Sequence, residues 1–276
     1  MATNGRRKSS GSSVEVHLWV RNSESVEAAG LDLAVRTLSP PEQERRNRFH
    51  FPEDRRDYAI AHGLLRQSLS RYFELPPDDW MFDTGSTGKP AIRNQRVPPR
   101  RTRGAGTIEE CSFSLSHTRG LVACAITWNM PVGVDVERTD TGIEVDEVAP
   151  HCLSDAEAEA LHSVPRDGRP ERFIELWTLK EAFVKATGQG LAQSPRSAAF
   201  EFTDSGEIEF RPSGGIDGSR WEFALYVPFP HARLAVAACR GARRVRFNAR
   251  SLNGSVSDAI APLRATGAQG RSLRHP

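Results

Sequence analysis

The sequence predicts an α+β protein built as two similar α/β halves, residues 14–130 and 131–240. Segments with period-2 apolar alternation interleave with segments of helical period along both stretches. A short echo links them, because Leu121-Val122-Ala123-Cys124-Ala125 resembles Leu234-Ala235-Val236-Ala237-Ala238-Cys239. With 38% apolar and 26% charged residues in 276, the chain is long enough to bury a sizeable core.

The elements follow in order. Val14–Val20 alternates as a strand. Ser39-Pro40-Pro41-Glu42 opens a helix, with Ser39 as cap and prolines in the first turn. A second helix is expected from about Pro52 to Phe73, with Tyr58, Leu65 and Leu69 inward. Residues 93–110 carry Arg93, Arg96, Arg100, Arg101 and Arg103 among prolines and are expected as a mobile basic loop. Strands are expected at 112–116, 121–128 and 132–137, helices at 154–162 and 170–187, and strands at 198–203, 207–211, 221–227 and 233–239.

Both ends are basic. Residues 1–13 carry three positive charges, and residues 240–276 hold eight arginines against Asp258, which leaves 14–239 a net −8. The ends, 1–13 and 241–276, are expected as largely disordered solvated tails. Basic residues in MATNGRRKSSGSS precede no apolar stretch, so no secretory signal is expected. The longest apolar run, Leu121–Trp128, is too short to cross a membrane. Cys111, Cys124, Cys152 and Cys239 lie far apart with no CxxC spacing, which indicates neither zinc nor a disulfide framework. A cytoplasmic protein is expected.

Two segments concentrate the chemistry. In Gly133-Val134-Asp135-Val136-Glu137 the valines take one face of a strand, while Gly133, Asp135 and Glu137 take the other. Adjacent same-face carboxylates repel unless a cation neutralises them, and glycine leaves room for a ligand. In Trp177-Thr178-Leu179-Lys180-Glu181-Ala182-Phe183-Val184-Lys185, Glu181 and Lys185 lie along one edge of a helix. Lys180 falls inside its apolar arc, where a lysine either snorkels out or meets a fixed anion. A surface i,i+4 pair and a solvated strand face would explain Glu181–Lys185 and Asp135/Glu137 separately. Together, three carboxylates and ammonium groups suit Mg²⁺ and a polyphosphate. Upstream, Ser114-Leu115-Ser116-His117 ends a strand, and Gly88-Lys89-Pro90 is a turn displaying one lysine. No G-x-S-x-G elbow or Walker loop is present.

The ordered set Gly-Lys-Pro, Ser-Leu-Ser-His, Gly-Val-Asp-Val-Glu and Trp-x-x-Lys-Glu-Ala-x-x-Lys resembles the 4′-phosphopantetheinyl transferases, specifically their surfactin-synthetase-activating branch. The resemblance runs from about residue 14 to 239. It implies two pseudo-symmetric halves, each a small antiparallel sheet packed on helices, with coenzyme A in the cleft between them. It further implies transfer of the 4′-phosphopantetheine arm to a serine of an acidic acyl or peptidyl carrier protein, with release of 3′,5′-ADP. By the same resemblance Asp135, Glu137 and Glu181 match metal ligands, and Glu181 or Glu137 matches the base. Lys180 and Lys185 match phosphate contacts, Ser116 and His117 contacts to the 3′-phosphate, and Lys89 with Pro90 the adenosine end. Arg45 matches a basic position after the Ser-Pro helix start. A monomer is expected, with no membrane or nucleic-acid partner. The competing reading is a non-catalytic module that binds nucleic acid or an acidic protein through the arginine-rich loop and tail.

Overall fold

Alternating burial organises the first strand and then the whole molecule. The computed structural model describes residues 13–84, 90–93, 97–100, 106–189, 194–241, 243–253 and 256–267. In β1 (Ser13–Asn22), Val16, Leu18 and Val20 are fully buried on one face, while Trp19 is buried on the other. The chain continues through α1 (Ala28–Arg36), α2 (Pro40–Asn47), α3 (Pro52–Leu69), a hairpin of β2 (Phe82–Thr84) and β3 (Pro90–Ile92), β4 (Cys111–Thr118) and β5 (Leu121–Trp128). Next come β6 (Val132–Arg138), α4 (Val145–Cys152), α5 (Asp155–Ser163) and α6 (Arg169–Thr187). The strands β7 (Ala198–Phe202), β8 (Glu207–Pro212), β9 (Trp221–Tyr226), β10 (Ala232–Cys239), β11 (Arg244–Asn253), β12 (Val256–Ala259) and β13 (Arg264–Thr266) complete it.

Two sheets result, in the orders β12-β11-β1-β5-β4 and β6-β10-β9-β13-β8-β7. Pairing is antiparallel except for β1 with β11 and β13 with β8. The sheets face each other across one core: Val16, Leu18 and Val20 from the first meet Val134, Val136, Leu234 and Val236 from the second. On the outer side of the first sheet α3 contributes Ile60, Leu64, Leu65 and Leu69. On the outer side of the second, α6 contributes Phe173, Leu176, Leu179 and Phe183. The order is therefore helix, sheet, sheet, helix. Strand β5, covered on both faces, is buried at all eight positions, which is why it reads as a continuous apolar run. The echoed strands β5 and β10 are both interior to their sheets.

The expected tail from 241 needs correction. Its arginines alternate with Val245 and Ala249, which are 4% and 5% exposed and join the core between the sheets. So β11 extends the first sheet, and β13 inserts into the second between β9 and β8. Charge dominated the composition and concealed a period-2 strand. The basic loop is also anchored where it is described: Arg100 N–H donates to Tyr72 O at 2.6 Å, and Arg100 Nε to Phe73 O at 3.0 Å. Helix α3 stops at Leu69, short of the expected Phe73, and tightens as Tyr72 N–H bonds Leu69 O.

Helix α2 is held by one carboxylate. Glu42 accepts from the Ser39 backbone N–H at 2.8 Å, from Arg66 at 2.6 Å, and pairs with His62 at 2.9 Å. Burial alone would raise its pKa, but His62, Arg66 and Ser39 together pull it down to about 2. A depressed acid contributes stability above its unfolded pKa and loses it as pH falls through the folded one. Glu42→Gln is therefore expected to cost about 3 kcal/mol near pH 7, since it strands a fully buried arginine. The gap from wild type should shrink between about pH 4.5 and 2 in urea melts. An unchanged gap across that window would refute this role.

Candidate active site

The site begins with a glycine. A Cβ placed on Gly133 would lie 1.9 Å from Ala182 O and 2.5 Å from Ala186 N. The backbone of α6 thus rests directly on β6, and the space expected for a ligand beside Gly133 is filled by helix. This close crossing brings the α6 edge that carries Trp177, Glu181 and Lys185, at i, i+4 and i+8, alongside Asp135 and Glu137 of β6.

Asp135 is 3% exposed. Its Oδ1 accepts from Ser116 Oγ at 2.8 Å and from Lys185 Nζ at 2.6 Å. Its Oδ2 is buried and meets no donor among the described residues. The nearby Thr118 and Trp177 side chains favour the charged form of Glu137, yet burial first and the charge of Asp135 second push its pKa up to about 7. Half-buried Glu181 is raised for the same two reasons, with Lys185 opposing. This is a seam with more negative charge than its one ammonium balances. Among the described residues, no three side chains of His, Cys, Asp or Glu stand close enough to hold an ion as they are. The unpartnered Oδ2 and the neighbouring Glu137 and Glu181 carboxyls nevertheless form a donor set that suits a hard divalent cation.

The edge strands β4 and β6 meet at this seam. Val134 N–H donates to Ser114 Oγ at 3.1 Å, and Val136 N–H to Ser116 Oγ at 3.3 Å. The serines of Ser114-Leu115-Ser116-His117 therefore stitch one sheet to the other. The β4–β5 turn is fixed in turn by Asp57, which accepts from Gly120 N–H at 2.9 Å and from the Ser23 hydroxyl.

Next to the seam lies a cavity of about 230 Å³, lined by Arg45, Tyr58, His62, Pro90 and His117 among others. Phe49 and Tyr58 flank the His117 ring. Desolvation by the cleft walls first, and Lys185 second, lower the His117 pKa to about 4, although the residue is exposed at the cleft mouth. Arg45, Pro90 and His117, expected together, do converge here; Lys89 lies outside the described residues. A larger cavity of about 1120 Å³ beside β2 and β3 includes only Pro90 of the candidate residues.

One sequence expectation is corrected. Lys180 is fully buried and does not reach the seam. Its three ammonium protons go to Glu157 Oε2 at 2.8 Å, Pro195 O at 3.1 Å and Ala198 O at 2.6 Å. Glu157, 3% exposed, also accepts from Ser154 N–H and Phe200 N–H, both at 2.8 Å, so the pair ties α5, α6 and β7 together. The Ser116 hydroxyl donates to Asp135 and accepts from Lys185 and the Val136 N–H. Sequence reasoning missed Thr118, Trp177, Ser114 and Glu157. Trp177 stood in the helix motif with no role assigned to it, and only Ser154-x-x-Glu157, a capping-box spacing, signalled a role for Glu157.

Family models of known proteins match most of residues 25–239. Residues 131–239 match the family model of the 4′-phosphopantetheinyl transferase superfamily, and residues 25–129 match that of the 4′-phosphopantetheinyl transferase N-terminal region. The chain is 33% identical over 224 residues to the 4′-phosphopantetheinyl transferase HetI of Nostoc sp., covering 81% of this chain and 87% of that protein. It is 29% identical over 171 residues to the 4′-phosphopantetheinyl transferase Sfp of Bacillus subtilis, covering 62% and 69%. A holo-(acyl-carrier-protein) synthase of Bacillus anthracis, solved with CoA (3′,5′-ADP), aligns at TM-score 0.36 and 18% identity over 41% of this chain and 98% of that one.

Proposed function

This chain belongs to the 4′-phosphopantetheinyl transferases, and from that premise we propose how its own residues move the phosphopantetheine arm of coenzyme A onto a carrier-protein serine. The serine oxygen bonds to the β-phosphorus, the bridging P–O bond breaks, and 3′,5′-ADP leaves with the electron pair. The serine proton passes, directly or through a water, to Glu181 or Glu137. Such transfers depend on positioning and charge neutralisation more than on covalent help from the protein.

The observation that carries this reading is the β6–α6 seam, where Asp135, Glu137, Glu181 and Lys185 gather at the junction of the two sheets beside the Arg45–His117 cavity. Asp135 through Oδ2, with Glu137 and Glu181, would hold Mg²⁺. Bound there, the ion would neutralise pyrophosphate charge. Lys185 supplies the second positive group, and its 30% exposure lets it reach a phosphate. Arg45 and His117 receive the 3′-phosphate, with Lys89 and Pro90 at the adenosine end. Thr118 and Trp177 orient Glu137. Lys180 serves the fold rather than the phosphates.

Acidic acyl or peptidyl carriers as partners, a monomeric state and a cytoplasmic setting belong to the same proposal. The four cysteines are free, and no described helix is long and apolar enough to cross a membrane. Family membership sets the non-catalytic binding module aside. The test is a mass measurement: an apo carrier incubated with the enzyme, coenzyme A and Mg²⁺ should gain one phosphopantetheine arm. No gain across a panel of acyl and peptidyl carriers would overturn the proposal.

A further inference from the structure

We propose that Glu171 and Glu175 hold the Arg233 guanidinium away from Glu137, and so keep the β6–α6 seam open to a divalent cation. Arg233 and Glu137 stand directly opposite one another in the antiparallel pairing of β10 with β6. Their strand neighbours Val136 and Leu234 fill the core between the sheets, so both charged side chains project from the other face, toward α6. Residues opposed in this way have Cβ atoms about 5 Å apart, close enough for opposite charges to pair. Among the described residues no ion pair joins these two. Arg233, 6% exposed, gives Nη2 to Glu171 Oε1, Nε to Glu175 Oε1 at 3.3 Å and Nη1 to Ala232 O at 2.9 Å. The two glutamates lie one turn apart on α6 and draw the guanidinium toward the helix.

A charge count shows what this arrangement preserves. At the seam Asp135, Glu137 and Glu181 face one ammonium, that of Lys185. With all three carboxyls ionised, two negative charges are left over, the charge of one divalent cation. Beside the seam, Arg233 and Arg172 meet Glu171 and Glu175, with Arg172 Nε 3.3 Å from Glu175 Oε2. That second cluster has two charges of each sign and draws nothing from the first. Without its glutamates Arg233 would be a buried charge lacking a partner, a state that costs several kcal/mol. The carboxylate opposite it on β6 is Glu137. A guanidinium paired there would cancel one of the two charges and take up the oxygens that a cation needs. Glu171 and Glu175 are therefore positioning residues: they touch neither substrate nor cation and act through Arg233.

The kinetic part of this inference rests on the transferase reading; the metal-binding part does not. The experiment compares wild type, Glu171→Gln/Glu175→Gln, the same pair combined with Arg233→Met, and Arg233→Met alone. The first readout is Mn²⁺ affinity of the protein by itself, followed by the electron paramagnetic resonance of the free ion. The second is the Mg²⁺ concentration that gives half-maximal transfer, with kcat at saturating Mg²⁺. The double glutamine variant is expected to bind Mn²⁺ about tenfold more weakly or worse, as losses around a metal ligand typically do. Its half-maximal Mg²⁺ concentration should rise by the same factor, while kcat at saturating Mg²⁺ holds, because excess cation displaces the arginine. Adding Arg233→Met should restore wild-type Mn²⁺ affinity, and Arg233→Met alone should bind Mn²⁺ at least as tightly as wild type. If the double variant does not fold, Glu171→Gln alone takes its place, at a side chain 57% exposed, with a smaller loss in the same direction. Unchanged Mn²⁺ affinity in the glutamine variant, or no Mn²⁺ binding by wild type, would overturn the inference. So would a loss that Arg233→Met fails to rescue, which would make the glutamates simply structural. Weaker Mn²⁺ binding in Arg233→Met alone would show that the arginine supports the site, and would overturn it too. If wild type transfers to no carrier while the Mn²⁺ pattern holds, the function proposed above fails and this inference stands.

Discussion

Replacing Gly133 with alanine is expected to destabilise the protein and to abolish transfer in whatever fraction stays folded. The added methyl would sit 1.9 Å from Ala182 O and 2.5 Å from Ala186 N, both backbone atoms of α6. No rotamer change relieves a clash with backbone, so the helix must back away by on the order of 1 Å to restore ordinary contact. Overpacking of this kind costs roughly 3 kcal/mol or more, which for a chain of this size lowers the melting temperature by about 6–12 °C. The functional loss follows from what α6 carries. Glu181 and Lys185 move with the helix, whereas Asp135 stays on β6, and a misplacement near 1 Å can cost about 100-fold in rate. A thermal melt and a transfer assay on the same sample check both halves. A wild-type melt with full activity would mean that α6 does not cross β6 at Gly133.

Glu181→Gln is expected to separate activity from stability. Burial and the charge of Asp135 both raise the Glu181 pKa, so in the folded, ligand-free protein its ionised form is disfavoured. An acid whose folded pKa lies above its unfolded value destabilises the fold at pH values above it. Gln removes that cost, and the variant should melt at or slightly above the wild-type temperature at neutral pH. Transfer should fall by on the order of 10³-fold, because the group that would hold the cation or accept the serine proton is gone. Asp135→Ala should also abolish transfer, but with a stability loss, since it removes the partner of Ser116 and Lys185. Full activity in Glu181→Gln would refute its place in the site. A lowered melting temperature would reassign it to the fold. Opposed effects on activity and stability are what a site of crowded like charges produces.

Much of this architecture was legible. The alternating strands and the helices around α3, α5 and α6 could be placed because apolar period is a local property of the chain. What escaped has a common cause. Strands β11 and β13 lie in an arginine-rich stretch whose composition reads as solvated tail, and they form because partner strands from residues 13–22 and 207–226 are waiting for them. Helices α1 and α4 are short, nine and eight residues, and tertiary packing rather than propensity secures helices of that length.

The sequence by itself determined which residues make up the seam: the strand face Gly133, Asp135, Glu137 and the helix edge Glu181, Lys185. Those groupings follow from periods of 2 and 3.6 and need no knowledge of the partner. Only the tertiary structure decided what each neighbour does. The space beside Gly133 is filled by helix backbone. The buried charge of Lys180 is met by Glu157, 23 residues earlier, and no phosphate is needed to explain it. The hydroxyl of Ser116 is spent on a carboxylate 19 residues away. Each of these turns on which polar atom from a distant segment comes within about 3 Å, the range over which hydrogen bonds form. Local periodicity specifies the direction a side chain faces, and the fold alone specifies what it meets there.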